Sequence, residues 1–182
     1  MKKSILVALI FIAVICMPES LRADEPDVRD LPAGERVFVG GFLGLQLGTF
    51  TAININLHAG YLITNRLSAG IGGNYQYTRN AFFAETYTSH IYGGNVFTRL
   101  LVYEGFFVQA EYERLRIETG MMTGDLFDDT RTAENNYLLG AGYNLPVGER
   151  VHLNLLLLYN LNESSQAHRD NPFIRIGVDV YF

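Results

Sequence analysis

The sequence predicts an all-β chain, an eight-stranded antiparallel up-and-down transmembrane β-barrel behind an N-terminal signal peptide. Three observations carry that expectation. Apolar and polar residues alternate over most of the chain after residue 35, the period of a strand whose two faces meet different solvents. Eight such stretches occur, and the links between them switch between tight and long. The first residues break this pattern with a basic start and an apolar run too short to span a bilayer as a helix.

Residues 1–23 read as the signal peptide. Lys2 and Lys3 precede the apolar stretch Ile5 to Met17, and Leu21-Arg22-Ala23 supplies a small residue at which cleavage is expected. Lipid anchoring through Cys16 is disfavoured by the bulky Ile15 before it. Removing this segment takes away the only Cys and both Lys, so disulfides cannot stabilise the mature chain. Without Lys2, Lys3, Arg22 and Glu19, eleven basic and eighteen acidic residues remain, a net charge of about −7 that argues against a nucleic-acid partner. Residues 24–35, with two prolines and many charges, are expected to form a disordered periplasmic lead. The barrel is expected over 36–182.

Its strands are predicted at 36–48, 52–63, 67–78, 89–102, 106–117, 135–145, 151–162 and 173–182. The second places Ile53, Ile55, Leu57, Ala59, Tyr61 and Ile63 on one face, with Asn54, Asn56, His58 and Gly60 on the other. The seventh repeats the pattern with Val151, Leu153, Leu155, Leu157, Tyr159 and Leu161 against His152, Asn154, Asn160 and Asn162, Leu156 and Leu158 being exceptions. In the eighth, Ile174, Ile176, Val178, Val180 and Phe182 oppose Arg175, Gly177 and Asp179. One face suits hydrocarbon, the other a wet, charge-paired lumen.

Short links are expected at Thr64-Asn65-Arg66, Tyr103-Glu104-Gly105 and 146–150, and long polar ones at 79–88, 118–134 and 163–172. Outer-membrane barrels keep short turns in the periplasm, so the termini are expected there and the long loops outside the cell. Thr49-Phe50-Thr51 is then an unusually short outer link. Tyr61, Phe106, Tyr143 and Phe182 form one expected aromatic girdle, and Tyr75, Tyr77, Tyr92, Tyr112, Tyr137 and Tyr159 the other. Glycines 40, 44, 70, 72, 93, 140 and 142 fall on the lumen side, leaving room for long polar neighbours. Among these, Arg99 and Arg175 are expected to pair with Glu111, Glu113 and Asp179 as a structural plug.

The terminal arrangement Arg175, Gly177, Val180, Phe182 resembles the insertion signal that the outer-membrane assembly machinery reads on its barrel substrates. Residues 60–70, where a Tyr-bearing strand turns into Leu67-Ser68-Ala69-Gly70, resemble the recurrent hairpin of small outer-membrane barrels. Together these make the chain similar in plan to the OmpX and OmpA membrane-domain families and to outer-membrane barrels of Bacteroidetes type. The resemblance implies a monomer in the cell outer membrane, with lipids and lipopolysaccharide around it.

No enzymatic constellation is expected. His58 and His152 read as hydrogen-bonded lumen residues, and His90 and His168 as solvated ones near the outer rim. Barrel lipid-A deacylases place a Ser two residues after the His, but His152 is followed by Leu153 and Asn154. Ser89 with His90, and Ser164, Ser165 and Glu163 near His168, are the weaker alternative for lipid modification. Asp125, Asp128 and Asp129 lack an ordered calcium-ligand series. The expected function is therefore a non-enzymatic structural or surface-interaction barrel without cofactor or metal, its long loops open to an extracellular protein partner. Arg114 and Arg116, which interrupt the lipid face at the outer end of their strand, are the expected lipopolysaccharide contacts. A lipid-modifying enzyme, a narrow pore and a soluble lipocalin-like carrier are the alternatives.

Overall fold

The computed structural model describes residues 27–46, 50–80, 87–118, 131–162, 164–165 and 171–182. Eight strands follow one another: β1 Val37–Gln46, β2 Phe50–Leu62, β3 Leu67–Asn80, β4 Tyr87–Tyr103, β5 Phe106–Glu118, β6 Arg131–Pro146, β7 Val151–Asn160 and β8 Phe173–Tyr181. Each pairs antiparallel with its sequence neighbours, and β1 pairs with β8, so the sheet closes in simple up-and-down order. Closure removes both sheet edges, which satisfies the backbone ladder without help from solvent.

The tight links are built by local chemistry. Between β4 and β5, Glu104 and Gly105 both take positive φ, 38° and 92°. Such a two-residue turn has the twist that hairpin strands need. Gly105 is required there, because a Cβ would lie 2.6 Å from the Asn144 carbonyl oxygen. Between β2 and β3, the Thr64 hydroxyl accepts from the Leu67 and Arg66 amides at 2.9 and 3.2 Å.

The strand boundaries shift modestly from expectation at the long-loop end. β3 reaches Asn80 and β4 starts at Tyr87, with Arg79 opposite Thr88 and Asn80 opposite Tyr87. β6 begins at Arg131, opposite Glu118. These extensions are polar and carry no two-faced alternation, so the hydrophobic period could not reveal them. Phe50 and Thr51, expected in a link, belong to β2.

The lead also differs from expectation. Residues 24–26 lie outside the described residues, but 27–36 are not disordered: they form two 3-10 turns, Val28–Asp30 and Ala33–Arg36. The Val28 amide donates to Asn65 Oδ1 at 2.7 Å, Arg36 Nε donates to the Val28 carbonyl at 2.7 Å, and Arg36 Nη1 reaches the Tyr61 hydroxyl at 3.0 Å. Composition alone suggested disorder; these hydrogen bonds to the β2–β3 turn supply the missing partners.

Side-chain direction follows the predicted parity. Ile53, Leu155 and Val178 point outward and are 37%, 52% and 41% exposed, while Asn56, Asn154 and Asp179 point inward and are buried. Leu57, Ile71, Val96, Ile174 and Ile176 continue the outward apolar belt. This is the reverse of a lipocalin, whose apolar side chains line the interior, so the carrier alternative is set aside. Both aromatic girdles also point outward, with Phe106 and Phe182 exposed at the short-turn end and Tyr75, Tyr92, Tyr112, Tyr137 and Tyr159 toward the other.

The interior is less wet than expected. Phe38, Phe42, Phe97 and Phe107 are inward and buried, as are Leu138, Leu156 and Leu158. Each of the four rings lies against a glycine directly across the ladder: Phe38 against Gly60, Phe42 against Gly177, Phe97 against Gly70 and Phe107 against Gly142. A Cβ on any of these glycines would come within about 2.5 Å of a ring carbon, which makes the missing side chain the ring's seat. At the long-loop end Ile91, Leu115 and Ile117 form a second internal apolar layer.

Candidate functional sites

Strands β4, β5 and β8 bring the five expected lumen charges into one connected network, to which β2 adds His58. Arg99 Nη1 donates to Asp179 Oδ2 at 2.7 Å, and His58 Nε2 lies 2.8 Å from the other Asp179 oxygen. Since a carboxylate only accepts, the imidazole is the donor in that bond. Arg99 Nε donates to Gln109 Oε1 at 3.1 Å, and Gln109 Nε2 donates to Glu111 Oε2 at 3.1 Å. Arg175 Nη1 reaches both Glu111 oxygens at 3.0 Å, and its Nη2 stands 3.6 Å from Glu113 Oε1. Asn95 Nδ2 adds a third donor to Glu111 at 2.7 Å, and Asn136 Nδ2 donates to Glu113 at 3.4 Å.

The pairing is more selective than the sequence suggested. Arg99 binds Asp179, while Arg175 takes Glu111 and Glu113. Arg99 is also wrapped in rings, its guanidinium carbon lying 4.5 Å from the Phe107 centroid, 5.7 Å from Phe97 and 5.8 Å from Phe38. Cation–π attraction in such a desolvated place is worth about 2 kcal/mol or more. His58 stacks on Phe42 with centroids 5.0 Å apart and meets Phe97 edge-on at 5.5 Å. Sequence parity had put His58 in the lumen, but its tie to Asp179 was not legible. The rings were missed although their parity was available; the signal was an inward Phe beside glycines of neighbouring strands.

The remaining candidates separate. Arg175, Gly177, Val180 and Phe182 share β8 and its end: Arg175 and Gly177 face inward, and Phe182 is outward and exposed. Val180 pairs with Val39 and Val151. Arg114 and Arg116 are exposed on the outward face of β5, two residues apart, and no hydrogen bond or ion pair joins either guanidinium to another described residue. His90 is outward, its Nδ1 2.8 Å from the Tyr75 hydroxyl. His152, expected to be hydrogen-bonded, instead packs 4.8 Å from the Tyr181 ring, and its Nδ1 has no hydrogen-bond partner among the described residues. It stands across the ladder from Asp179, but that carboxylate is already taken by Arg99 and His58. Ser165 donates to Glu134, and His168, Glu163, Asp125, Asp128 and Asp129 lie outside the described residues.

No protein-family model matches the chain, and no curated protein does. Several solved structures are similar in fold. A de novo designed transmembrane β-barrel is 14% identical over 83% of this chain and 98% of its own, with a TM-score of 0.43. The N-terminal β-barrel domain of Pseudomonas aeruginosa OprF is 13% identical over 82% and 99%, also at 0.43. Neisserial surface protein A is 16% identical over 87% and 100%, at 0.41.

Proposed function

We propose that this chain is an integral outer-membrane barrel with a sealed lumen, whose work is structural or at the cell surface rather than enzymatic. The observation that carries the reading is the inverted distribution of side chains: an outward belt of Ile, Leu and Val around a buried interior of paired charges, amides and rings. In water such a belt is an aggregation hazard; in a bilayer it is the required surface. The outward Tyr and Phe girdles at both ends of the belt support the same setting. In this reading the short turns and the folded lead are periplasmic and the long loops extracellular, available to a protein partner. The assembly machinery recognises Arg175, Gly177, Val180 and Phe182. Arg114 and Arg116 meet lipopolysaccharide.

Sealing has a physical basis. Eight strands leave room inside for side chains and little else. The Arg99–Asp179–His58 group interleaves with the Phe42, Phe107, Leu156 and Leu158 layer, and the Ile91, Leu115 and Ile117 layer closes the bore toward the long-loop end. An ion would have to displace a ring layer and break a desolvated ion pair to pass. The test is membrane fractionation combined with detergent gels. The protein is expected in the outer-membrane fraction, resistant to carbonate washing, and to migrate differently before and after boiling. Recovery in the aqueous extract without a boiling-dependent shift would refute the membrane assignment.

A further inference from the structure

We infer that Arg114 and Arg116 hold the phosphate of an outer-leaflet lipid, and that the adjoining strip of β3 and β4 receives one of its acyl chains. The inference rests on the membrane and lipopolysaccharide reading above and adds to it the group that the arginines hold and a seat for the acyl chain. It begins with an anomaly. Two arginines stand at successive outward positions of β5, on the face that carries Phe106, Val108, Ala110 and Tyr112 below them.

Their height explains why they are tolerated. With strands tilted about 40°, each residue climbs about 2.6 Å, so Arg114 stands about 21 Å and Arg116 about 26 Å above the girdle residue Phe106, against an apolar band about 25 Å tall. Both therefore reach the headgroup boundary, where a lipid-facing Arg costs about 0–1 kcal/mol rather than the roughly 2–4 of the midplane. Their Cα atoms are about 7 Å apart along the strand. Two guanidinium forks at that spacing can close on one phosphate, whose oxygens they match better than an ammonium would.

The surface beside them has a matching shape. Arg114 is opposite Gly94 on β4, and Gly94 is opposite Gly73 on β3. Both glycines are exposed, and a Cβ on either would meet nothing nearer than 3.5 Å, whereas the ring-seating inward glycines are filled. The result is a side-chain-free strip about 10 Å long and 7 Å high. Tyr75 and Tyr92 wall it on the long-loop side, and Ile71 and Val96 on the other. The Tyr75 hydroxyl is already bonded to His90, so this wall is held in place. A charged end and an apolar trough in line fit an amphiphile with a phosphate head. Charge complementarity commits the site to that class of occupant, because a neutral lipid would leave both arginines without a counter-charge.

The chain refolded in detergent is to be examined by native mass spectrometry with bisphosphorylated lipid A, and with the same lipid after both phosphates are removed. The wild type is expected to retain the phosphorylated form at least tenfold better, and R114Q/R116Q to lose that preference. Gly73→Leu/Gly94→Leu, which fills the strip without touching the arginines, is expected to weaken retention at least tenfold as well. Equal retention of the two lipids, unchanged retention by R114Q/R116Q or by the glycine variant, or displacement of lipid A by millimolar inorganic phosphate would each overturn the inference. Boiling-dependent gel migration is recorded on every sample. Its absence in the wild type sinks the membrane reading, whereas a normal shift with unchanged lipid retention sinks only the lipid site.

Discussion

Asp179→Ala removes the carboxylate on which two strands converge across the lumen. In the folded barrel that carboxylate is fully buried and receives hydrogen bonds from Arg99 at 2.7 Å and His58 at 2.8 Å. A hydrogen bond to a charged group contributes about 1.5–3 kcal/mol, and stranding one member of a buried ion pair costs about 3–5 kcal/mol. The two routes agree on roughly 4 kcal/mol. The loss has a particular origin, since the Arg99 guanidinium stays in place among three phenyl rings with its counter-charge gone. Arg99→Met in the same chain keeps an unbranched stem against those rings and removes the stranded charge. The double variant R99M/D179A is therefore expected to be more stable than D179A alone. The assay is urea unfolding in lipid vesicles followed by tyrosine fluorescence, which is undisturbed because the chain has no Trp. A D179A loss below about 1 kcal/mol, or a double variant that loses the sum of the two single losses, would refute the reasoning.

Four further outcomes are expected. Gly60→Ala puts a Cβ 2.1 Å from Phe38 Cζ and is expected to cost about 1–3 kcal/mol by overpacking, whereas Gly34→Ala, with nothing within 4 Å, is expected to be neutral in the same unfolding assay. Glu104→Asn places a residue that tolerates positive φ where φ is 38° and is expected to raise stability by about 0.5–1 kcal/mol; a loss would count against the turn assignment. In planar bilayers the wild type is expected to give no reproducible conductance steps, and regular steps would remove the sealed-lumen reading. Deleting Phe182 removes an exposed ring and one amide bond to the Val37 carbonyl at 3.2 Å, so folded stability should fall by only about 1 kcal/mol while assembly in cells drops and secretion continues. Normal assembly of that variant would eliminate the insertion-signal proposal.

Most of the barrel was legible because a strand between hydrocarbon and a polar interior writes its two solvents into alternate residues. Asn54, Asn56 and His58 against Ile53, Ile55 and Leu57 fix β2 in register and face, and the structure follows them residue by residue. Pairing among the lumen charges was legible only as a set. Which carboxylate meets which guanidinium depends on the stagger of the closed sheet, and Asp179 lies 121 residues from His58 and 80 from Arg99. The inward rings had legible parity, but their seats did not: which glycine faces which Phe is set by the register between strands, which no hydrophobic period records. The folded lead escaped because its order depends on Asn65 and Tyr61, residues of another element.

Strand β8 supplies both halves of the interior's charge compensation: the anion that meets Arg99 and the cation that meets Glu111 and Glu113. A polypeptide that stops before residue 173 would hold seven strands in which Arg99 lacks its carboxylate and Glu111 and Glu113 lack their guanidinium. Such a fragment has nothing to gain from curling shut early, since closure would desolvate all three. The internal wiring thus ties burial of the charged centre to the arrival of β8.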